Sequence, residues 1–245
     1  MTAMTLTTAR RTTRPVGLVL GCVAGTCLVV AGIWNALIED HVTVQAPPTD
    51  IGPQVPVAEA MHRYYSWYAG TVAQQRADTI LAIVGVTGLV ILAIELRRRL
   101  GTDVLGRGAC TGLQVCGTVW VIGALTEIGG QRAVALMATH SNPIQTVNAI
   151  SFTTDVTSDA FSAAAFVLLG GAMFAIGIAP VRVAGSRWTL LTGLTGLVAL
   201  VVAFGYVRGV DSITTWVLGL LAAVLLPAWL VATGRLLDAE QPSLS

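Results

Sequence analysis

Residues 126–162 have the sequence TEIGGQRAVALMATHSNPIQTVNAISFTTDVTSDAFS. This stretch joins two long apolar segments and places three carboxylates where they meet. Glu127 lies near the end of the first segment, while Asp155 and Asp159 stand at the start of the second. The two aspartates are four residues apart, so they share one face of a helix. Acids at membrane depth are the default candidates for a functional site.

The composition excludes an ordinary soluble protein. Of the 245 residues, 54% are hydrophobic and 11% are charged, and the mean hydropathy is +0.75. Such a composition is typical of a polytopic membrane protein. The net charge of +1 and the lack of a basic tract with interleaved aromatics argue against a nucleic-acid partner. All fourteen basic residues are arginine, which suggests a GC-rich bacterial genome and hence a bacterial plasma membrane.

Six segments are long enough to span the hydrocarbon layer, which needs about 20 residues. The crossings are predicted at residues 17–38, 78–96, 108–128, 156–179, 188–207 and 214–233. We therefore predict an all-α, six-helix transmembrane bundle over residues 16–235, with polar tails at 1–15 and 236–245. Pro227 is expected to kink the last helix.

The arginines predict the orientation of the bundle. If the amino terminus lies inside, ten of the fourteen arginines fall on the cytoplasmic side and four on the outer side. Cytoplasmic loops carry an excess of arginine and lysine. Both termini are therefore predicted to be cytoplasmic, and the outer rim is the acidic one.

The first outer loop, residues 39–77, carries an aromatic patch on a predicted interfacial helix at 57–75. The patch consists of Tyr64, Tyr65, Trp67 and Tyr68. Rings with an apolar body and a polar tip prefer the headgroup layer, although a ligand-stacking or partner-binding patch is the alternative. The second outer loop, 129–154, is predicted to hold one or two short interfacial segments.

Small and polar residues predict how the helices pack. Gly17, Gly21 and Gly25 repeat every fourth residue and form a flat strip along which another helix can approach closely. That helix belongs either to the same chain or to a second copy, so a homo-oligomer stays open. Gln114 and Thr118 are four residues apart and are expected to point into the bundle.

A cation or proton site at the outer mouth is the sharpest chemical hypothesis. Its members are Glu127, Asp155, Asp159 and Asp78, with Arg76 or Arg132 as a tuning charge. Carboxylates brought together in a low dielectric hold a proton or bind a cation. The alternative is that Asp155 and Asp159 cap a helix amino terminus and that Glu127 is solvated near Arg132.

The sequence carries no motif for catalysis or for a cofactor. No two of the three histidines have the spacing of metal ligands, and none lies in a crossing where haem would be held. A GxSxG nucleophile and a P-loop are both missing. We therefore predict no catalytic residue, no metal and no cofactor.

The cysteines are Cys22, Cys27, Cys110 and Cys116, and all four lie in apolar segments. Free cysteine there acts as a small packing residue. Thiol redox chemistry through Cys27 and Cys116, both near mid-membrane, is the alternative.

The chain resembles bacterial six-helix integral membrane families that are classed only as domains of unknown function. The resemblance rests on the six crossings, on the arginine turn at 97–99, and on LLPAWL at 225–230 followed by GRLL at 234–237. It spans roughly residues 78–238 and supplies no catalytic residue.

These observations favour a non-enzymatic accessory or assembly subunit that acts through its helix faces and its aromatic outer rim. Its partners would be the lipid bilayer and either a membrane protein or a second copy. A small transporter or channel for a cation, proton or amphiphile is the alternative, with a membrane thiol redox protein third.

Overall fold

The structure is an all-α bundle. The computed structural model describes residues 15–44, 63, 66, 67, 76–99, 103–139, 144–178 and 185–239, with backbone alone at 35–44, 138, 139, 144 and 211–215. The helices are α1 Val16–Val44, α2 Ala77–Arg99, α3 Val104–Thr139, α4 Ile144–Ile178 and α5 Ser186–Arg208, followed by a last crossing made of α6 Asp211–Leu220, a π-helical turn Leu221–Leu225 and α7 Leu226–Ala239. Six helices in this part of the chain are long and apolar enough to cross a membrane. The predicted fold class is confirmed.

The helices pack in chain order around a closed ring. Each of α2, α3, α4 and α5 contacts the helix before and after it, and α7 returns to pack against α1. The interior of the ring is filled by apolar side chains. Leu89, Leu113, Met173 and Trp229 have exposed fractions between 0 and 2%. The middle of the bundle is therefore a packed hydrocarbon core.

Helices α3 and α4 are much longer than the predicted crossings. They contain 36 and 35 residues, or more than 50 Å each at about 1.5 Å per residue. The prediction of short interfacial segments at 129–154 is therefore wrong. The two helices continue side by side there, with Val134, Ala135 and Val147 buried between them and Gly130 lying against Thr154.

The polar residues of this region predicted a loop, but their hydroxyl groups are hydrogen-bonded to carbonyl groups of the same helix. Thr153 donates to the carbonyl of Ala149 at 2.7 Å, and Thr157 donates to the carbonyl of Thr153 at 2.7 Å. Such bonds to the preceding turn let threonine sit in an apolar helix without a partner elsewhere.

The last crossing changes its winding just before Pro227. The π-helical turn Leu221–Leu225 contains Ala223, the residue four positions before the proline. A proline ring clashes with the carbonyl four residues earlier and has no N–H to donate to it, and a wider turn relieves both problems. The expected disturbance at Pro227 is thus present as a π turn.

Four hydrogen bonds, two in the core and two near residue 238, tie the last crossing to its neighbours. The indole N–H of Trp229 donates to Thr192 at 3.0 Å and that of Trp188 donates to Thr233 at 3.1 Å, which joins α5 to α7 inside the core. Near the chain end, the Asp238 carboxylate accepts from the backbone N–H of Gly17 at 2.9 Å and of Leu18 at 2.7 Å. Asp238 therefore caps α1 from the opposite end of the chain.

Candidate functional site

The charged residues of the helices lie at two levels about one bilayer apart. Arg107 and Glu127 are separated by 20 residues of α3, or about 30 Å, which matches the hydrocarbon thickness. In α4, Asp159 lies 19 residues before the last residue of the helix, Ile178, so this carboxylate is also about one bilayer thickness from the opposite end of its helix. We call the level of Arg97, Arg98, Arg99 and Arg107 the arginine end and the level of Glu127, Asp155 and Asp159 the carboxylate end.

Glu127 is the centre of a polar cluster at the carboxylate end. Its Oε1 accepts from Nη1 of Arg76 at 2.6 Å and from the side-chain amide of Gln131 at 3.4 Å. Its Oε2 accepts from the hydroxyl of Ser158 at 3.2 Å. The side chains of Arg76 and Glu127 keep 16% and 29% of their exposure. The cluster thus joins the residue before α2 to α3 and α4.

Asp155 and Asp159 extend this cluster on an exposed face of α4. Asp155 lies close enough to Glu127, Asp159 and Arg76 for their charges to act on it. The alternative that the two aspartates cap a helix is wrong, because α4 begins at Ile144 and carries both of them in its interior. Their positions therefore need an explanation other than capping.

Tyr206 brings α5 to the same cluster. A side-chain hydrogen bond links Tyr206 to Ser162, and the charges of Asp159 and Glu127 act on its hydroxyl. The ring stacks on Phe166 with centroids 5.9 Å apart. The carboxylate end is therefore lined from α3, α4 and α5, with Arg76 beside them.

The remaining charged candidates lie around this cluster. Asp78 is in the first turn of α2, where a carboxylate complements the helix dipole, and it accepts from the hydroxyl of Thr79 at 3.4 Å. Arg132 is exposed on α3. Of the two arginines Arg76 and Arg132, Arg76 is the one whose side chain is hydrogen-bonded to Glu127.

The structure shows what covers the glycine strip of α1. A Cβ atom on Gly21 would lie 2.5 Å from the carbonyl oxygen of Leu230, and one on Gly25 would lie 3.3 Å from Pro227. Gly17 lies against Gly234 in the same way. The strip packs on α7 of the same chain, so the close approach it permits is used within the bundle.

The polar residues of α3 take a different orientation from the expected one. Thr118 is exposed, and its hydroxyl donates to the carbonyl of Gln114 in its own helix at 3.0 Å. Gln114 is half-buried. The inward stripe of α3 consists instead of apolar residues such as Cys110, Leu113 and Cys116, so the expected inward orientation of Thr118 is wrong.

The aromatic patch lies mostly outside the described residues. Tyr64, Tyr65 and Tyr68 are among those not described, while Trp67 is helical and half-buried. Its role as an interfacial or partner-binding patch stays a prediction.

The four cysteines are free thiols. Cys110 and Cys116 are buried in the core at 0% and 4% exposure, Cys27 is half-buried, and Cys22 is exposed on α1. In the helical ranges that the structure describes, no three side chains of histidine, cysteine, aspartate or glutamate converge to hold a metal.

Sequence reasoning missed several members of the cluster. Gln131 was missed because its stretch was expected to be a loop, whereas in the continuous α3 it lies four residues after Glu127. Ser158 lies in a predicted crossing, but its contact is with Glu127 on the neighbouring helix, 31 residues away in the sequence. Tyr206 carried a weak signal, since it is the one tyrosine outside the aromatic patch. Only the ring order of the helices brings it to the carboxylate end.

The fold defines the chain as a multi-pass integral membrane protein with a polar cluster at one end of an apolar bundle. Comparison with known proteins gives no matching family model, and neither a curated protein nor a solved structure matches the chain. The resemblance to uncharacterised six-helix families stays a prediction.

Proposed function

We propose that the protein is a non-enzymatic accessory or assembly subunit of a bacterial plasma membrane, which docks a membrane protein partner at the carboxylate end. The observation that supports this most is the contrast between the two regions of the bundle. Mid-depth is closed by buried apolar side chains such as Leu92, Met173 and Leu230. The charged groups of the cluster lie at one end.

The α3–α4 pair supplies the surface for this partner. Beyond Glu127, α3 runs on to Thr139, about 18 Å further along its axis. Leu136 on this extension is 53% exposed, and Phe152 on α4 is 71% exposed. Apolar side chains beyond the hydrocarbon layer, set beside exposed Asp155 and Asp159, suit a partner that offers apolar contacts and a basic rim.

Native purification in mild detergent, with mass spectrometry of everything that stays bound, tests the proposal. We expect a stoichiometric protein partner with the wild-type chain and its loss with the double variant Asp155→Asn, Asp159→Asn. The matched control is Glu95→Gln, an exposed acid at the arginine end, which should keep the partner. A wild-type chain that purifies alone, or a partner that survives the double variant, would reject this surface.

A transporter or channel for a cation or proton is the second candidate. It is supported by the charge balance of the cluster, in which the guanidinium of Arg76 acts on two carboxylates, Glu127 and Asp155, and Asp159 adds a third carboxylate whose charge acts on Asp155. Carboxylates in excess favour a cation. Reconstituted vesicles should then show a cation or proton flux that Asp159→Asn abolishes. Unchanged flux in that variant would reject the carboxylates as the site.

A further inference from the structure

The face between α1 and α2 carries an apolar groove near mid-depth. Ala24 and Gly88 form its floor, because a Cβ atom on Gly88 would collide with the side chain of Ala24. Val23, Val84 and Ile91 form its rims and keep 50%, 46% and 41% of their exposure. The groove therefore opens to the side of the bundle, where a membrane protein meets lipid.

The size of the groove selects the kind of occupant. Its volume is about 230 Å³ and it is open on one side, so it is smaller than the pockets of about 300 to 1,000 Å³ that hold drug-sized ligands. A whole helix, about 10 Å across with its side chains, is too wide to lie within it. The end of a single hydrocarbon chain fits it. The hydroxyl of Thr87 donates to the carbonyl of Ile83 at 2.8 Å. Because this donor is already hydrogen-bonded, an apolar occupant does not leave it unsatisfied.

The same face of α2 continues to the arginine end. Positions 84, 87, 91, 95 and 98 follow helical spacing, so Glu95 and Arg98 lie below the groove. Arg98 is 70% exposed, with its Nη1 2.6 Å from Oε1 of Glu95. Exposed Arg97 and Arg99 flank it. Three arginines and one glutamate give this turn an excess of two positive charges, which suits an anionic phosphate.

The distances along α2 match those of a membrane lipid. Seven residues separate Arg98 from Ile91, and 11 separate it from Thr87, or about 10 and 16 Å. Half of the hydrocarbon layer is about 15 Å thick. A lipid whose phosphate contacts Arg98 therefore places the end of its acyl chain in the groove.

We propose that this face binds an anionic phospholipid, with one acyl chain in the groove between α1 and α2 and the headgroup phosphate on Arg98. Arg98 exchanges its exposed contact with Glu95 for the phosphate, because exposed ion pairs hold weakly. The site is independent of the partner surface at the carboxylate end.

Binding of two lipids to the purified full chain tests this site. The probes are phosphatidylglycerol and phosphatidylcholine with identical acyl chains, and native mass spectrometry measures the fraction bound. The wild-type chain should prefer phosphatidylglycerol. Arg98→Gln should weaken its binding about fivefold, the effect of one basic residue near an anionic lipid, while Glu95→Gln should strengthen it by releasing Arg98. A misfolded variant would not produce this gain.

Control variants distinguish lipid binding at this site from lipid contact elsewhere on the surface of the bundle. Arg187→Gln removes an exposed arginine at the start of α5, and Val115→Phe enlarges a lipid-facing residue of α3 that is 45% exposed. Neither should change binding, whereas Val84→Phe should fill the groove and lower the binding of both lipids. Equal binding of the two lipids to the wild-type chain would overturn the proposal, as would equal effects of Arg98→Gln and Arg187→Gln. A second copy of the chain held at the groove would also overturn it.

Discussion

Nη1 of Arg76 lies 2.6 Å from Oε1 of Glu127, so the residue that precedes α2 is bound to the side of α3. The hydroxyl of Ser158 donates to the other carboxylate oxygen and brings in α4. Three consecutive helices are thereby held together at the carboxylate end. Glu127 is a structural centre of this cluster, and the exposed Asp155 and Asp159 are the carboxylates best placed to meet a partner or an ion.

A double-mutant cycle on Arg76 and Glu127 measures this contact. We expect Arg76→Gln and Glu127→Gln each to lower the free energy of unfolding, because each leaves a partly buried charge without its partner. The double variant should lose less than the sum, with a coupling of about 0.5 to 3 kcal/mol. Unfolding in mixed micelles gives the three values. Additive losses would mean that the ion pair contributes nothing.

Thiol labelling of intact cells tests the predicted orientation. In a chain whose four cysteines are replaced by alanine, Asp155→Cys should react with a membrane-impermeant maleimide, because the carboxylate end is predicted to face outward. Arg187→Cys, exposed at the arginine end, should react only after the cells are opened. The reverse pattern would place the arginine end outside.

The fold class could be predicted from the sequence because each crossing is a long apolar run. The sequence also placed the arginine turn at 97–99 and the acids at 127, 155 and 159 at opposite ends of the helices, as the structure does. The lengths of α3 and α4 could not be predicted in this way. Asn148, Thr153 and Thr154 are typical of loops when judged alone, whereas in the structure Thr153 donates to its own helix and Thr154 packs against Gly130 of α3.

Long-range contacts account for the other differences. The glycine strip predicted a close approach, but nothing in the spacing of Gly17 and Gly21 distinguishes α7 from a second copy. Likewise, Asp238 lies in a tail that was expected to be merely polar, and its hydrogen bond to Gly17 spans 221 residues. Both contacts depend on the packing of α1 against α7, which closes the ring of helices.

Substitution of Gly21 tests that ring closure. Gly21→Ala should destabilise the bundle by about 1 to 3 kcal/mol, as overpacking does, because the new Cβ would meet the backbone of Leu230 at 2.5 Å. Gly193→Ala is the matched control, since a Cβ there meets nothing within 4 Å. Thermal unfolding in detergent compares the two. Equal melting temperatures would show that α1 and α7 are not held at this distance.

The contact between Trp229 and Thr192 gives a test of the core. Thr192→Val keeps the shape of the side chain but leaves the fully buried indole N–H of Trp229 without its acceptor. We expect a loss of about 1 to 3 kcal/mol in the free energy of unfolding. Thr111→Val, whose exposed hydroxyl donates to its own helix, should change stability little. Similar losses from both variants would point to a general effect of removing a hydroxyl.

Removal of the Asp238 carboxylate should loosen the start of α1. Two backbone N–H groups, those of Gly17 and Leu18, donate to it, and the first turn of a helix has no intrahelical acceptor for such groups. Asp238→Ala should therefore cost about 1 kcal/mol, the usual effect of losing a cap, and should speed amide hydrogen exchange in the first turn of α1. Asp238→Asn keeps one acceptor oxygen and should retain much of the protection. If exchange at Gly17 and Leu18 is the same in all three chains, α1 begins without help from α7.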